Sequence, residues 1–404
     1  LVKLIFDDNT EAIPEFLSVK IEEKLAHGVT NEIGAIVVQE AEVQIDNTDG
    51  TYSPDNSNSP YYGKIKTGIK LVVDGVEYIV TEISAPRTEV TAKIRGQDEL
   101  SLALDTPVYI PYMTGINVSE IIQGIAARLG LSPSFKTTVS IILNHCYIKK
   151  PLVDVLKQLS VAGNVFFRSN NRVLEIGSLQ RGDAEVELST YENTAELHAM
   201  DIEAQTFKVV YYPSMYLAEQ AEHGSVDYTL LPKGETTLTL ELVNHEFVML
   251  ETKDNVTVEV ERLDNGDVMF RIRNNTDNVI EGSAKLYSKE IKFTKMMIDN
   301  SGSDEVDSIF IQSRPLAEAV SRRFNEFYRL PKKLYQFRAM LPQRLKAGDF
   351  VSMRSAYIDD MGLVIDVSQT YAGGYWTAQG KVIRPVSEYK PVFLAPYFCI
   401  DVAV

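Results

Sequence analysis

Five histidines, His27, His145, His198, His223 and His245, come nearest to metal or general-base chemistry in this chain, and no two of them lie three or four residues apart. A histidine pair on one helical turn is therefore excluded, leaving only a site assembled from distant segments. Each is read as a surface or hydrogen-bonded histidine. Asp46, Asp49 and Asp55 gather around Gly50 as calcium ligands do. However, Asp46, Asn47 and Asp49 do not alternate, and no glutamate closes the loop at the required distance, so a solvated turn is expected. Asp359 and Asp360 form the kind of acid pair that glycoside hydrolysis uses, but with 56 acids in the chain such neighbours arise by chance. Trp376, the single tryptophan, stands near Tyr371, Gly373, Gly374 and Tyr375. It is read as part of an aromatic strand edge packed on the core, with a sugar-stacking platform as the alternative. Signatures for phosphate loops, dinucleotide sites, zinc proteases and serine hydrolases are absent. Cys146 and Cys399 are far apart without CxxC spacing, which supports neither a disulfide framework nor a zinc site. No catalytic residue, cofactor or metal ligand is assigned, and the chain is not expected to be an enzyme.

The 404 residues carry 40 basic and 56 acidic side chains, a formal charge of −16 that opposes stable binding of phosphate backbones. There is no apolar run of about 18 residues, so no stable membrane insertion is expected. The amino end, LVKLIFDDNT, has acids where a signal peptide would need an apolar centre. The length suggests two to four domains.

The elements that would position any site are mainly strands. Residues 1–106 read as short strands separated by turn residues, a first β-barrel domain. Within it, 43–68 (VQIDNTDGTYSPDNSNSPYYGKIKTG) joins a strand to a long polar loop and back. Asp74-Gly75 then supplies the positive φ of a tight hairpin. Residues 107–187 read as a small α+β unit. Asn117 caps a helix with Val118, Ile121, Ile122, Ile125 and Leu129 on one face, ended by Gly130. A second helix opens at Pro151, aligns Leu152, Val155, Leu156 and Leu159, and stops at Gly163; a hairpin turning at Asn170-Asn171 follows. Residues 188–212 and 309–386 are assigned to a second β-barrel domain, with strands at 203–212 and 334–385 and a helix that aligns Leu316, Val320, Phe324 and Phe327. On its other side Glu318, Arg322 and Glu326 repeat every four residues. The segment 341–385 reads as four strands. Between these pieces, 213–308 reads as an inserted β-sandwich, clearest over 225–293. There Val260 is expected opposite Ile272 across a loop of three or five residues around Asn265-Gly266. The run 299–308, DNSGSDEVDS, is the linker candidate, and 387–404 a C-terminal extension.

Several phrases resemble one family, the hub proteins of bacteriophage tail tips and baseplates, which are related to the spike-protein hubs of type VI secretion. They are DNTDGTYSP at 46–54, SPYYG at 59–63, the strand from Lys66 to Val72, GQDELSLALDTPV from Gly96, IKKPLVDVLKQLSVAGNVFFRSNNRVLEI at 148–176, and LKAGDFV at 345–351. The resemblance implies a mainly β (α+β) fold with two tube-like β-barrel domains, a small α+β unit and an inserted β-sandwich. It implies a homotrimer around the tail axis in the virion, made in the host cytoplasm. The partners implied are a distal tail or tail tube protein, a tape-measure protein and receptor-binding or fibre proteins, with DNA only in transit. The rival readings are a carbohydrate-binding adhesin, which Trp376 would suit, and an accessory region of a cell-wall hydrolase.

Overall fold

The computed structural model describes residues 2–28, 34–85, 89–179, 184–189, 195–201, 205–242, 244–252, 255–298, 302–329, 333–355, 358–372 and 374–384. Strand dominates, with four helices among the described residues: α1 Glu99–Ala103, α2 Val118–Arg128, α3 Leu152–Gly163 and α4 Arg314–Arg329. The two β regions expected as separate barrels belong to one 16-stranded sheet. Its main path begins with Ala195–Asp201, Lys333–Leu341, Tyr375–Ile383 and Asp359–Ala372. It crosses to Phe16–Ala26 and continues through Ile36–Asp46, Thr91–Gln97, Val76–Ser84, Lys70–Val73, Val2–Ile5 and Glu11–Ala12. The crossing is antiparallel and runs from Asp366 opposite Lys24 to Tyr371 opposite Val19. Alternation sets the faces: Val19, Ile21 and Leu25 are buried while Lys20, Glu22 and Lys24 are exposed. Asp74-Gly75 makes the expected turn, with both residues at positive φ, between Val73 and Val76.

In the α+β unit, the side chain of Asn117 accepts from the Ser119 amide at the start of α2, and Val118, Ile121, Ile122 and Ile125 are buried as their spacing requires. Leu129 is partly buried. Along α3, Leu152, Val155, Leu156 and Leu159 are buried, and Asn164 ends the helix in the left-handed conformation. The following hairpin turns one residue later than expected, at Asn171-Arg172, with φ of 49° and 63°. This register sets Phe166 opposite Gly177, where a Cβ would meet the ring at 2.2 Å.

The sequence reading of 203–212 needs correcting. Strand Phe207–Leu230 does not join the large sheet; it pairs with Ile280–Ile298 and Asp304–Asp307. The Phe207 ring packs on Phe324 of α4, centroids 5.4 Å apart. Asp304–Asp307 is thus a strand with Val306 buried, and not linker; 299–301 lie outside the described residues. Beyond the root of this ribbon, its upper part and His245–Glu251 face a second sheet of Glu235–Leu240, Val268–Asn274 and Val256–Arg262. Tyr228, Leu230, Ala284 and Leu286 enclose a core with Val268, Phe270 and Ile272, so a β-sandwich is present. Its Val256–Arg262 hairpin has a five-residue loop, 263–267. Val260 lies opposite Phe270, two residues from the expected Ile272; the even displacement keeps the apolar residues on one face.

On α4, Ala317, Val320, Phe324 and Phe327 are buried and Leu316 partly so, while Glu318 is held by Arg314 at 2.9 Å. Among the described residues the segment 341–385 contains three further strands, Phe350–Arg354, Asp359–Ala372 and Tyr375–Ile383, and not four. Leu341 closes Lys333–Leu341, and 342–349 is a loop ending in a turn that needs Gly348, at φ 92°. Residues 387–404 lie outside the described residues.

Because Leu156 is completely buried, Leu156→Ala is expected to cost about 2–5 kcal/mol of unfolding free energy in urea titration. Ile142→Ala, at a side chain 68% exposed, is expected to cost less than about 0.5 kcal/mol.

Candidate functional site

Most residues that could do chemistry are engaged structurally. His145 shares a 2.9 Å hydrogen bond with the Tyr112 hydroxyl, and the rings of His223 on strand Phe207–Leu230 and His245 on strand His245–Glu251 lie 4.3 Å apart. His27 sits in a turn and His198 on the edge strand Ala195–Asp201. No group of three or more histidine, cysteine or acidic side chains is gathered for a metal among the described residues. Asp46 accepts from the amide and hydroxyl of Thr48, and Asp49 from those of Thr51, which draws both carboxyls below their usual range. Asp359 is 3.8 Å from Arg354 and Asp360 is 3.0 Å from Arg384. As consecutive strand residues these acids point to opposite faces, unlike a hydrolytic pair. Trp376 is 5% exposed and packs on Tyr371 at 5.2 Å. It is a core residue and offers no face to a sugar. Burial pushes the Cys146 thiol up to about 12, so it is unreactive; Cys399 lies outside the described residues.

The polar loop after Asp46 has an internal logic that its turn residues foreshadow. Gly50 donates to the carbonyl of Asn47, Ser53 to Gly50, Asn56 to Ser53, Ser59 to Asn56 and Tyr62 to Ser59, one turn every three residues. The buried Asn47 side chain donates to the Ser53 hydroxyl at 2.8 Å and accepts from the Tyr52 amide at 2.7 Å. Tyr61 closes the loop between Tyr52 and Phe6, with centroids 5.7 and 5.2 Å away.

The densest constellation of charge lies where the two β regions meet. Glu23, 1% exposed, receives a hydrogen bond from Arg344 and another from the Ala347 amide at 2.9 Å. Arg344 also donates to the Tyr78 hydroxyl at 2.7 Å, while its Nε and Nη1 have no partner among the described residues. Burial lowers the guanidinium pKa and Glu23 raises it, with a net rise, so Arg344 keeps its charge. One strand away, Gln369 clasps both backbone groups of Leu345. Arg168 reaches from strand Val165–Asn170 to Asp349 at 2.9 Å, the Ala347 carbonyl at 3.0 Å and Glu175 at 2.7 Å. Arg168 thus outweighs burial and draws the Glu175 carboxyl down. Asp98, also buried, accepts from the Ser101 amide, the Ser169 hydroxyl and the Gln39 amide. Loop 342–349 is thereby tied to the first β region and to the α+β unit. Sequence reading missed this cluster. Its one signal was Glu23, an acid at a position that alternation assigns to the core.

A second polar contact seats the sandwich on the hairpin of Pro107–Asn117 and Ile142–Pro151. Lys149 donates to Asp267 at 2.6 Å and to the Leu242 carbonyl at 3.2 Å. Arg262 donates to the Tyr109 hydroxyl at 2.5 Å, and Glu246 accepts from the Tyr112 amide at 2.7 Å. Tyr109, Tyr147, Met215 and Ile291 form a small core beneath.

No family model and no curated protein matches the sequence. Solved structures do. The 43 kDa tail protein of prophage MuSo2 from Shewanella oneidensis aligns over 95% of this chain and 98% of its own, with 10% identity and a TM-score of 0.53. A tail protein from Neisseria meningitidis MC58 aligns over 95% and 96%, with 9% identity and a TM-score of 0.52. The chain has the fold of phage tail proteins. In this fold the polar junction ties the two β regions of the large sheet together.

Replacing Arg344 with Met would leave the Glu23 carboxylate buried beside one backbone amide. Arg344→Met is expected to cost about 3–5 kcal/mol, whereas the double substitution Glu23→Leu, Arg344→Met should recover most of that loss. Urea unfolding midpoints test this. A single-variant loss under about 1 kcal/mol, the scale of exposed pairs, would show that the ion pair does not hold the junction.

Proposed function

We propose that this chain is a structural subunit of a phage tail tip or baseplate hub. Three copies would surround the tail axis and contact a distal tail or tail tube protein, the tape-measure protein and receptor-binding or fibre proteins. The observation that carries this reading is the likeness to two tail proteins along nearly the full length of each chain. The chemistry-bearing side chains support a non-catalytic role, because His145, Asp46, Asp49, Asp360 and Trp376 are committed to internal contacts. In this reading each chain supplies two β regions to the ring, and DNA passes in transit without being held.

The charge pattern refines how passage would work. On the open face of the junction strands, Arg95 is paired with Glu42 at 2.7 Å and with Glu82 at 3.0 Å, and Lys20 with Glu22 at 2.5 Å. There two cations offset most of the charge of three carboxylates, although the chain as a whole carries −16. A duplex moving past such a surface would meet neither a basic track that retains it nor a uniformly repulsive wall.

Negative-stain images of the purified chain are expected to show threefold rings. The opening should be about 20 Å, the scale of a DNA duplex, unless another protein fills it. Monomers or dimers only, or turnover of peptidoglycan or polysaccharide, would overturn the proposal.

We also propose that the chain divides into 1–106, 107–187, a second β region whose sheet strands come from 195–201 and 333–383, and an insertion at 213–308 that is rooted in strand Phe207–Leu230. The part to remove is set by register. Ser225 faces Lys285 and Phe293 faces Met215, so a cut at 225 and 293 would join positions that are not opposed. Ala221 faces Ser288. Replacing 222–287 with a short Gly-Ser turn is therefore expected to leave a soluble ring-forming chain. A soluble product that stays monomeric would assign the sandwich to the ring contact.

A further inference from the structure

The sandwich is joined to the rest of the molecule in two ways, by the ribbon of Phe207–Leu230 with Ile280–Ile298 and by its seat on the hairpin. The root of the ribbon is fixed. Residues 207–210 pair with Asp304–Asp307, Phe207 packs on α4, and Met215 and Ile291 share a small core with Tyr109 and Tyr147. Beyond Met215 the character changes, because from Tyr216 to Asp227 no side chain of this strand is buried. The ladder is also broken there. Leu217 lies opposite Ile291 but Gln220 opposite Lys289, so Ala218 and Glu219 together face Glu290. A second extra residue, His223, falls between Glu222, opposite Tyr287, and Gly224, opposite Leu286. Each such insertion leaves the pairing locally disrupted.

The contacts that hold the sandwich down beyond this break are polar. Lys149 donates to Asp267 at 2.6 Å and to the Leu242 carbonyl at 3.2 Å, and both charged side chains are only partly buried. Arg262 donates to the Tyr109 hydroxyl at 2.5 Å, and Glu246 accepts from the Tyr112 amide at 2.7 Å. Gly266 lies against the Tyr109 ring, where a Cβ would collide with it, so the loop 263–267 fits this seat closely. The apolar core of the sandwich is nevertheless its own, with Tyr228, Leu230, Phe270 and Leu286 in a cluster separate from those of the body. A polar seat between units of one chain permits relative motion that a large apolar interface would prevent.

We propose that the sandwich is a latched arm. It swings about the break at Ala218-Glu219, with Lys149, Arg262 and Glu246 as the latch and the ribbon root as the fixed post. Opening parts Lys149 from Asp267, Arg262 from the Tyr109 hydroxyl and Glu246 from the Tyr112 amide. All of these groups are hydrated once parted, while Met215 and Ile291 stay on the hairpin. A hinge of this kind needs only a few residues to absorb the backbone change. The arm thus turns its outer strands without disturbing the large sheet. The proposal does not depend on the oligomeric reading above.

The full chain tests it with spin labels on Ile142→Cys in the hairpin and Val279→Cys in the sandwich, both exposed positions, after Cys399→Ser; Cys146 is buried and stays unlabelled. Pulsed dipolar spectroscopy is expected to give one label distance with the latch intact. Lys149→Met with Arg262→Met should add a second distance, and Asp267→Asn, which removes the charge from the arm's side, should add the same one. Amide exchange in the latch variants should become faster at 217–220 and 289–291, with protection kept at 207–210 and in strand Val268–Asn274. A single unchanged distance in the variants would overturn the proposal. So would two distances before any latch substitution, faster exchange confined to other segments, or loss of protection in Val268–Asn274, which would make the seat part of the sandwich's own folding.

Discussion

The fold depends on one pairing between the beginning and the end of the chain, the antiparallel contact of Asp366 to Tyr371 with Lys24 to Val19. Without it the large sheet is two unconnected pieces. Strand hydrogen bonds alone do not specify this partner, because every extended segment offers the same backbone groups. Selectivity comes from the side chains gathered beside it: Glu23 reaches Arg344 and the Ala347 amide, and Gln369 clasps Leu345. A buried ion pair of this kind contributes little net stability, since desolvation offsets attraction, but a wrong partner would leave Glu23 uncompensated. In this chain we read it as a device that fixes which strands meet.

Local elements were legible in the sequence where one physical rule governed them. The faces of α2 and α3 follow from apolar spacing, the Asp74-Gly75 turn from its need for positive φ, and the loop parity of 263–267 from keeping Phe270 and Ile272 with Val256 and Val258 on one side. The errors arose where distant partners decided the outcome. The hairpin at Asn171-Arg172 moved by one residue because Phe166 needs the space at Gly177, 11 residues away. Asp304–Asp307 read as linker because only Val306 is apolar in it, and its pairing with Phe207–Leu230 is invisible locally. Of the junction, only the misplaced acid at Glu23 could have been noticed; nothing near Arg344 or Arg168 signals a partner.

Function follows the same division. Motif spacing argued against common catalytic signatures, and the structure adds a positive account of where the reactive side chains are used. Asn47 and Asp49 organise a chain of turns, Trp376 fills the core, and Arg168 and Asp98 anchor strands to one another. Each of these side chains fixes the position of backbone or of a neighbouring strand. That suits a protein whose proposed work is to hold others in register.

The terminal pairing also sets a timetable. Val19 and Tyr371 are 352 residues apart, so the edge of strand Phe16–Ala26 that is not paired with Ile36–Asp46 must wait for residues 366–371 to be synthesised. At about 5–20 residues per second the wait is roughly 18–70 s, long enough for an unpaired edge to find a wrong neighbour on an adjacent nascent chain. The strand's sequence, VKIEEKL, places four charges in succession around Ile21. While the ribosome is still working, Glu23 is a hydrated anion that repels intruding strands; when the last strands emerge and Arg344 arrives, the same carboxylate becomes the lock. The residue that guards the unfinished edge is the one that closes it.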